Sequence, residues 1–356
     1  MKAARFHGVG KPLTVEEVVD PRPSFGEVVV RIEACGICGT DVHIAVEGLF
    51  PTAFVPITLG HEGAGIVHEV GEGVTGWGAG DRVGIYPSIA CGRCALCLSG
   101  KDYLCPQSRI FGIFMDGCFA EYIAVPEGNL FRLPDFVSFE SGALLSDAVS
   151  AAFHAVYERA GIRGGESVAV FGCGGLGYHG VMFARALGAG MIIAVDIKDE
   201  LIARAREVGA DVGINPAKED LGDRIRELTG SDGVDVALEF VGTRDTIVSA
   251  MKALKRGGKL VVVGIGMEKV DLPPIRVFVG KELSVLGSMG YAKGEMEKIF
   301  SLIREKKVDL SRSVSARYPL EEINEGMLRM AKKEGNPIRL VVTPGAGARR
   351  EGAKSP

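Results

Sequence analysis

Four cysteines, Cys91, Cys94, Cys97 and Cys105, crowd one short stretch of chain and give it a donor set for a metal ion. Two-residue gaps let successive thiolates turn toward a common centre, and sulfur-only ligation favours tetrahedral zinc. Disulfides or unpaired buried thiols are the competing uses. The N-terminus, Met1-Lys-Ala-Ala-Arg-Phe-His, has no apolar stretch long enough for a secretory signal, so a metal knuckle is the better reading. Nearer the start, Cys35-Gly-Ile-Cys38-Gly-Thr40-Asp41-Val-His43 offers a thiolate, a hydroxyl and an imidazole within six residues. Gly60-His61-Glu62-Gly63 adds an imidazole and a carboxylate between glycines.

A second kind of chemistry is written in Gly172-Cys-Gly174-Gly175-Leu176-Gly177. Glycines at the first, third and sixth positions permit a tight turn, close approach of backbone to a pyrophosphate, and close packing of helix on strand. The helix start that follows faces the phosphates with its free N–H groups. Asp196 stands about 20 residues further on, at the end of the next apolar run, where a carboxylate binds both hydroxyls of an adenosine ribose and repels a 2′-phosphate. That pattern predicts NAD in preference to NADP. The competing role for Asp196 is a cap on the next helix.

These groups need elements to hold them. Up to about Phe139 the chain is dense in Gly and Pro, with β-branched runs such as Val28 to Ile32 and Ala64 to Val70, which predicts a partly open β-barrel. After Ser150 the texture changes. Apolar runs at 167–171, 191–195, 234–238 and 259–263 alternate with helical stretches such as 178–187 and 201–208, which predicts a parallel sheet wrapped on both faces. The expected division is a first domain over 1–148 with a zinc lobe at 88–108, a nucleotide domain over 149–288, a return to the first domain over 289–344, and a mobile tail over 345–356.

Composition narrows the function classes. With 41 Lys and Arg against 45 Asp and Glu, the chain is slightly acidic and carries no phosphate-seeking surface, which argues against a nucleic-acid partner. No apolar run is long enough to span a bilayer, and the expectation is a cytoplasmic protein without a membrane partner. The remaining cysteines, among them Cys35 and Cys173, read as small packed thiols.

Taken together, these motifs resemble those of the zinc-dependent medium-chain dehydrogenases, the alcohol and polyol dehydrogenase family, from the first strand to about Thr343. The resemblance implies an α/β fold with a GroES-like barrel as catalytic domain and a Rossmann coenzyme domain with a doubly wound parallel sheet. It implies two zinc ions per chain, one catalytic and one structural, with NAD as cofactor, and a homo-oligomer, dimer or tetramer. Cys38 and His61 fall where the family places two ligands of the catalytic zinc, Glu62 where it has an alternate ligand, and Asp41 where a carboxylate orients the histidine. The third ligand departs from the liver-type cysteine and the polyol-type glutamate. Here the position is Asp147, six before Phe153, which looks like the microbial secondary-alcohol branch. Whether Asp147 or Glu62 completes the resting site stays open in the sequence, as does a helix-capping role for Asp147.

By the same resemblance, Thr40 accepts a hydrogen bond from the substrate hydroxyl and His43 passes its proton to solvent, while hydride leaves for the nicotinamide. Cofactor contacts are implied at Gly172, Gly174, Gly175, Leu176, Gly177, Asp196, Val241, Val263, Gly264 and Ile265, with Arg339 reaching the pyrophosphate. The substrate is then a small-molecule alcohol or carbonyl. An apolar cleft near Leu49, Phe50, Tyr86 and 110–114 suits a small or medium alcohol, though a polyol, an amino-alcohol such as threonine or an acyl-thioester-linked cyclic alcohol fits the same pattern. Zinc-lacking quinone or enoyl reductases on this fold lack the Cys38, His61 and four-cysteine set. A non-catalytic scaffold would have no need of it.

Overall fold

The computed structural model describes residues 1–230 and 232–346. Most of the expected mobile tail, 347–356, lies outside the described residues. Two compact units form: one from residues 1–148, 292–300 and 309–346, the other from the described residues of 149–291 and 301–308.

The first unit is organised around one long strand, Glu27–Ile37. Its β-branched run buries Val28, Val30, Ile32 and Ile37 completely, in a core shared with Ile57, Leu59, Ile85 and Phe119. A seven-stranded sheet results, in the order Leu130–Arg132, Arg82–Ile85, Glu62–Val70, Glu27–Ile37, Arg339–Thr343, Val314–Pro319, with Tyr122–Pro126 also pairing on the central strand. A smaller sheet joins Thr14–Glu17, Lys2–Phe6 and Ile57–Thr58.

Register explains where chemistry collects. At the C-terminal end of the central strand, Gly36 stands opposite Glu62 and Ile37 opposite Leu340, so two neighbouring strands both begin beside Cys38. Gly36 must be glycine: a Cβ there would lie 2.0 Å from Glu62 Oε2.

The four-cysteine lobe is closed by the antiparallel pair Ser88–Ile89 and Arg109–Ile110. Its helical turns, Ala95–Leu98 and the 3-10 turn Asp102–Leu104, bury no residue. A metal is the available substitute for a core.

In the second unit, six parallel strands run in the order Val212–Ile214, Met191–Val195, Ser167–Phe171, Val234–Glu239, Leu254–Val262, Ser284–Gly287. In chain order this is 3-2-1-4-5-6, the doubly wound arrangement of the Rossmann fold. The outer two strands escape sequence reading because they are short and carry exposed or glycine positions rather than an apolar run. Residues 289–291 and 301–308, expected with the first domain, group with the second unit. The division falls inside the helix Met296–Arg304, whose N-terminal half is anchored in the first unit by Phe300 packing on Phe131 at 6.2 Å between ring centres.

Candidate active site

Cys38 directly follows the central strand and caps the short helix Gly39–Val42. Its N–H donates to Asp41 Oδ2 at 2.9 Å, while Asp41 Oδ1 accepts from the Gly60 N–H at 3.2 Å. One buried carboxylate thus fixes both Cys38 and the backbone just before His61. Asp147 arrives from elsewhere in the chain, at the junction after the helix Phe139–Leu145. The neighbouring Ser146 hydroxyl donates to the Gly63 carbonyl at 2.9 Å and holds that junction against the strand of Glu62.

The four side chains Cys38, His61, Glu62 and Asp147 converge, with one donor atom from each within 4.8 Å of the others. Asp147 Oδ2 lies 3.8 Å from the Cys38 sulfur and 3.6 Å from His61 Nε2. His61 Nδ1 faces Asp41 at 3.7 Å. Cys38, His61 and Glu62 are buried, whereas the Asp147 side chain is 26 % exposed and marks the open side of the cluster. Thr40 stands at that edge, its hydroxyl 3.7 Å from the Cys38 sulfur.

The electrostatics of the cluster call for a cation. Among the described residues, His61 Nδ1 and both Glu62 oxygens are buried without a hydrogen-bond partner, which is costly unless a charge compensates them. Burial works against a protonated His61, yet Asp41, Asp147 and Cys38 hold its pKa well above the usual imidazole value. Burial pushes Glu62 up to about 7 despite Arg339. Burial also opposes ionisation of Asp147, but His61 and Arg339 keep it below the ordinary carboxylate value. A divalent ion fits this donor set of thiolate, imidazole and carboxylate.

The second cluster meets the zinc test on distance. Cys94 and Cys97 sulfurs are 3.5 Å apart, Cys91 and Cys97 3.9 Å, Cys94 and Cys105 4.0 Å. A tetrahedron with zinc–sulfur bonds of about 2.3 Å has edges of about 3.8 Å. All eight cysteines are free thiols, and Cys35 and Cys173 are packed as expected of small apolar residues.

In the coenzyme unit the glycine loop leaves the strand at Gly172, where φ is 81°, and enters the helix Gly175–Ala186. A Cβ on Gly177 would lie 1.8 Å from the Gly172 carbonyl, so only glycine lets helix and strand pack here. Asp196 sits beside the loop: one oxygen accepts the Cys173 N–H at 2.8 Å, the other the Lys198 N–H at 2.9 Å. Val241 and Ile265 are exposed on the loops that follow the fourth and fifth strands.

Glu239 went unread in the sequence. Buried at the end of its strand, it accepts through Oε1 from the N–H groups of Val241 and Gly242 and from the Thr246 hydroxyl. Its carbonyl accepts from Val263 and Gly264, so one residue sets both loops. The available signal was an acidic residue closing the apolar run Val234-Asp-Val-Ala-Leu-Glu239.

The Arg339 guanidinium is buried beside this cluster, with Nη1 3.7 Å from Glu62 Oε1. The cause is register, because its strand begins beside the end of the central strand and directs the first side chain at Glu62.

Comparison with known proteins follows the same division. Residues 24–135 match the family model for the alcohol dehydrogenase GroES-like domain, and residues 175–305 that for the zinc-binding dehydrogenases. An alcohol dehydrogenase of Geobacillus stearothermophilus is 38% identical over 338 residues, covering 94% of this chain and 98% of that protein. A sorbitol dehydrogenase of Bacillus subtilis is 32% identical, covering 97% of each. Among solved structures, a zinc-binding dehydrogenase from Sinorhizobium meliloti bound to NADP superposes with a TM-score of 0.88 at 33% identity, over 96% of this chain and 99% of that one.

Proposed function

This chain belongs to the zinc-dependent medium-chain dehydrogenase family and is an oxidoreductase acting on alcohols; from that premise we propose that it interconverts a small or medium primary or secondary alcohol and its aldehyde or ketone with NAD(H). The observation carrying the proposal is the convergence of Cys38, His61 and Asp147 on one point, with burial on every side but that of Asp147.

Cys38, His61 and Asp147 would hold the catalytic zinc, with Glu62 as alternate donor, and the four-cysteine lobe would hold a second, structural ion. Zinc supplies Lewis acidity toward a hydroxyl or carbonyl oxygen, and the nicotinamide accepts or returns the hydride. The protein's own part is positioning. Thr40 accepts the substrate hydroxyl hydrogen bond, Asp41 keeps Cys38 and His61 in place, and His43 takes the proton outward. The loop Gly172 to Gly177 would hold the coenzyme, with Asp196 favouring the ribose hydroxyls of NAD over a 2′-phosphate.

Exposed apolar side chains at Leu49, Phe54 and Phe114 support an apolar alcohol. They sit on two loops joined by the Ala53 N–H donating to the Ile113 carbonyl at 2.9 Å. A polyol is the second reading, supported by the similarity to the sorbitol dehydrogenase of Bacillus subtilis. A panel of linear alcohols, 2,3-diols, sorbitol and threonine, each assayed with NAD and with NADP, separates the readings: the highest kcat/KM is expected for an unsubstituted secondary alcohol with NAD.

A further inference from the structure

His43, on which the reading above places the exit of the proton, has a neighbour that positions it. Residues His43–Glu47 form a single π-helical turn, a geometry that recurs at functional sites. Gly48, in the left-handed conformation, stops the turn, and the N–H groups of Gly48 and Leu49 both donate to the His43 carbonyl. The backbone of His43 is thereby fixed. Its imidazole is fixed from two further directions: the Phe50 ring meets it edge-on at 6.1 Å, and Glu47 Oε2 lies 2.7 Å from Nδ1.

The two ring nitrogens therefore face different surroundings. Nδ1 points at a carboxylate whose side chain is 45 % exposed. Nε2 points the other way, toward Gly39, on which an added Cβ would lie 3.9 Å from it, next to the Cys38 ligand position. A carboxylate on Nδ1 requires the proton there and leaves the Nε2 lone pair free to accept another.

We propose that Glu47 is a positioning residue that holds His43 as its Nδ1–H tautomer, with the Nε2 lone pair turned toward the substrate side. In alcohol oxidation the C–H bond delivers hydride to the nicotinamide, the O–H proton arrives at His43 Nε2, and the imidazolium, its Nδ1 held against Glu47, loses a proton to bulk water. An exposed ion pair of this spacing stabilises a fold very little, so its worth lies in the tautomer.

The proposal rests on the assignment of His43 to the proton exit, and the test keeps the two apart. Nitrogen-15 NMR of histidine-labelled, zinc-loaded protein should show His43 as Nδ1–H, and in Glu47→Ala a shift toward Nε2–H. Glu47→Ala should lower kcat about fivefold, a fraction of the full contribution of an acid–base group, with KM for alcohol and NAD unchanged. Glu47→Gln, which keeps an accepting oxygen, should recover to within about twofold of the parent. In a His43→Ala background, Glu47→Ala should have no further effect. An Nε2–H signature in the parent protein, or an equal loss with and without His43, overturns the proposal. If the tautomer shifts as stated but His43→Ala turns over at the parental rate, the proton-exit assignment is what has failed, and the catalytic role of Glu47 falls with it.

Discussion

Asp147 Oδ2 lies 3.8 Å from the sulfur of Cys38 although 109 positions separate them in the chain. The contact is made by two independent ties: Asp41 fixes Cys38 at the end of the central strand, and Ser146 pins the Asp147 junction to the neighbouring strand. A carboxylate held there is a harder donor than a second thiolate and leaves a bound zinc more electrophilic. Asp147→Asn should therefore weaken retention of the catalytic zinc and lower kcat at least about 100-fold, with NAD binding nearly unchanged. Zinc content after dialysis against a mild chelator, measured beside turnover, checks this; full activity with full zinc would leave Glu62 or water as the third ligand.

The lobe makes a separate prediction. With no buried residue in its helical turn, the lobe would take its shape from a bound metal. Cys97→Ser should lower the unfolding midpoint by at least about 5 °C, whereas His61→Ala should abolish turnover and leave that midpoint nearly in place. Calorimetry of the two variants distinguishes the roles.

Zinc uptake by the metal-free lobe should depend on pH with a definite sign. Partial burial, followed by the adjoining Cys94 sulfur, pushes Cys97 up to about 12, while the N–H groups of Arg93 and Cys94 lower Cys91 to about 6. At neutral pH the Cys97 thiol is protonated and must release its proton to bind metal. Apparent zinc affinity should rise about tenfold per pH unit between about pH 7 and pH 8 for each proton released. Competition with a chromophoric chelator measures the slope; an affinity flat over that range would contradict it.

Much of this was legible in the sequence because it rests on local constraints. The glycine loop, Asp196 and the four-cysteine lobe are read from spacing, since a tight turn and a metal knuckle need particular residues at particular offsets. Strands 167–171 and 191–195 are buried apolar runs and end where the sequence implies. Glu239, Glu47 and the burial of Arg339 were not legible. Each gains its meaning from what lies opposite it after folding: two loop backbones for Glu239, an imidazole one π turn away for Glu47, and Glu62 across the central strand for Arg339.

Glu239 should act through the coenzyme. Glu239→Ala removes the acceptor for three donors around Val241 and should raise the NAD dissociation constant about tenfold; Glu239→Gln keeps the accepting oxygen and should restore most of the affinity. Quenching of NADH fluorescence on binding reads both variants, and equal affinities in all three proteins would rule the role out.

Asp196 should set the choice of nucleotide. Its carboxylate stands against the glycine loop, where a 2′-phosphate would meet a like charge. Asp196→Gly should narrow the preference for NAD over NADP by about tenfold or more. Equal kcat/KM for the two cofactors in the unmodified enzyme would refute the assignment.

Metal-dependent turnover of one preparation is the most direct measurement. Zinc should be withdrawn stepwise with a mild chelator while NADH formation from a secondary alcohol is followed and the zinc remaining per chain is counted. Turnover should fall in proportion to loss of one zinc from a starting content of two, and return when that one is restored, with the chain still folded throughout. Alcohol-dependent NADH formation that persists after that zinc is gone, or a pure protein that holds no more than one ion, would contradict a catalytic centre built on Cys38, His61 and Asp147.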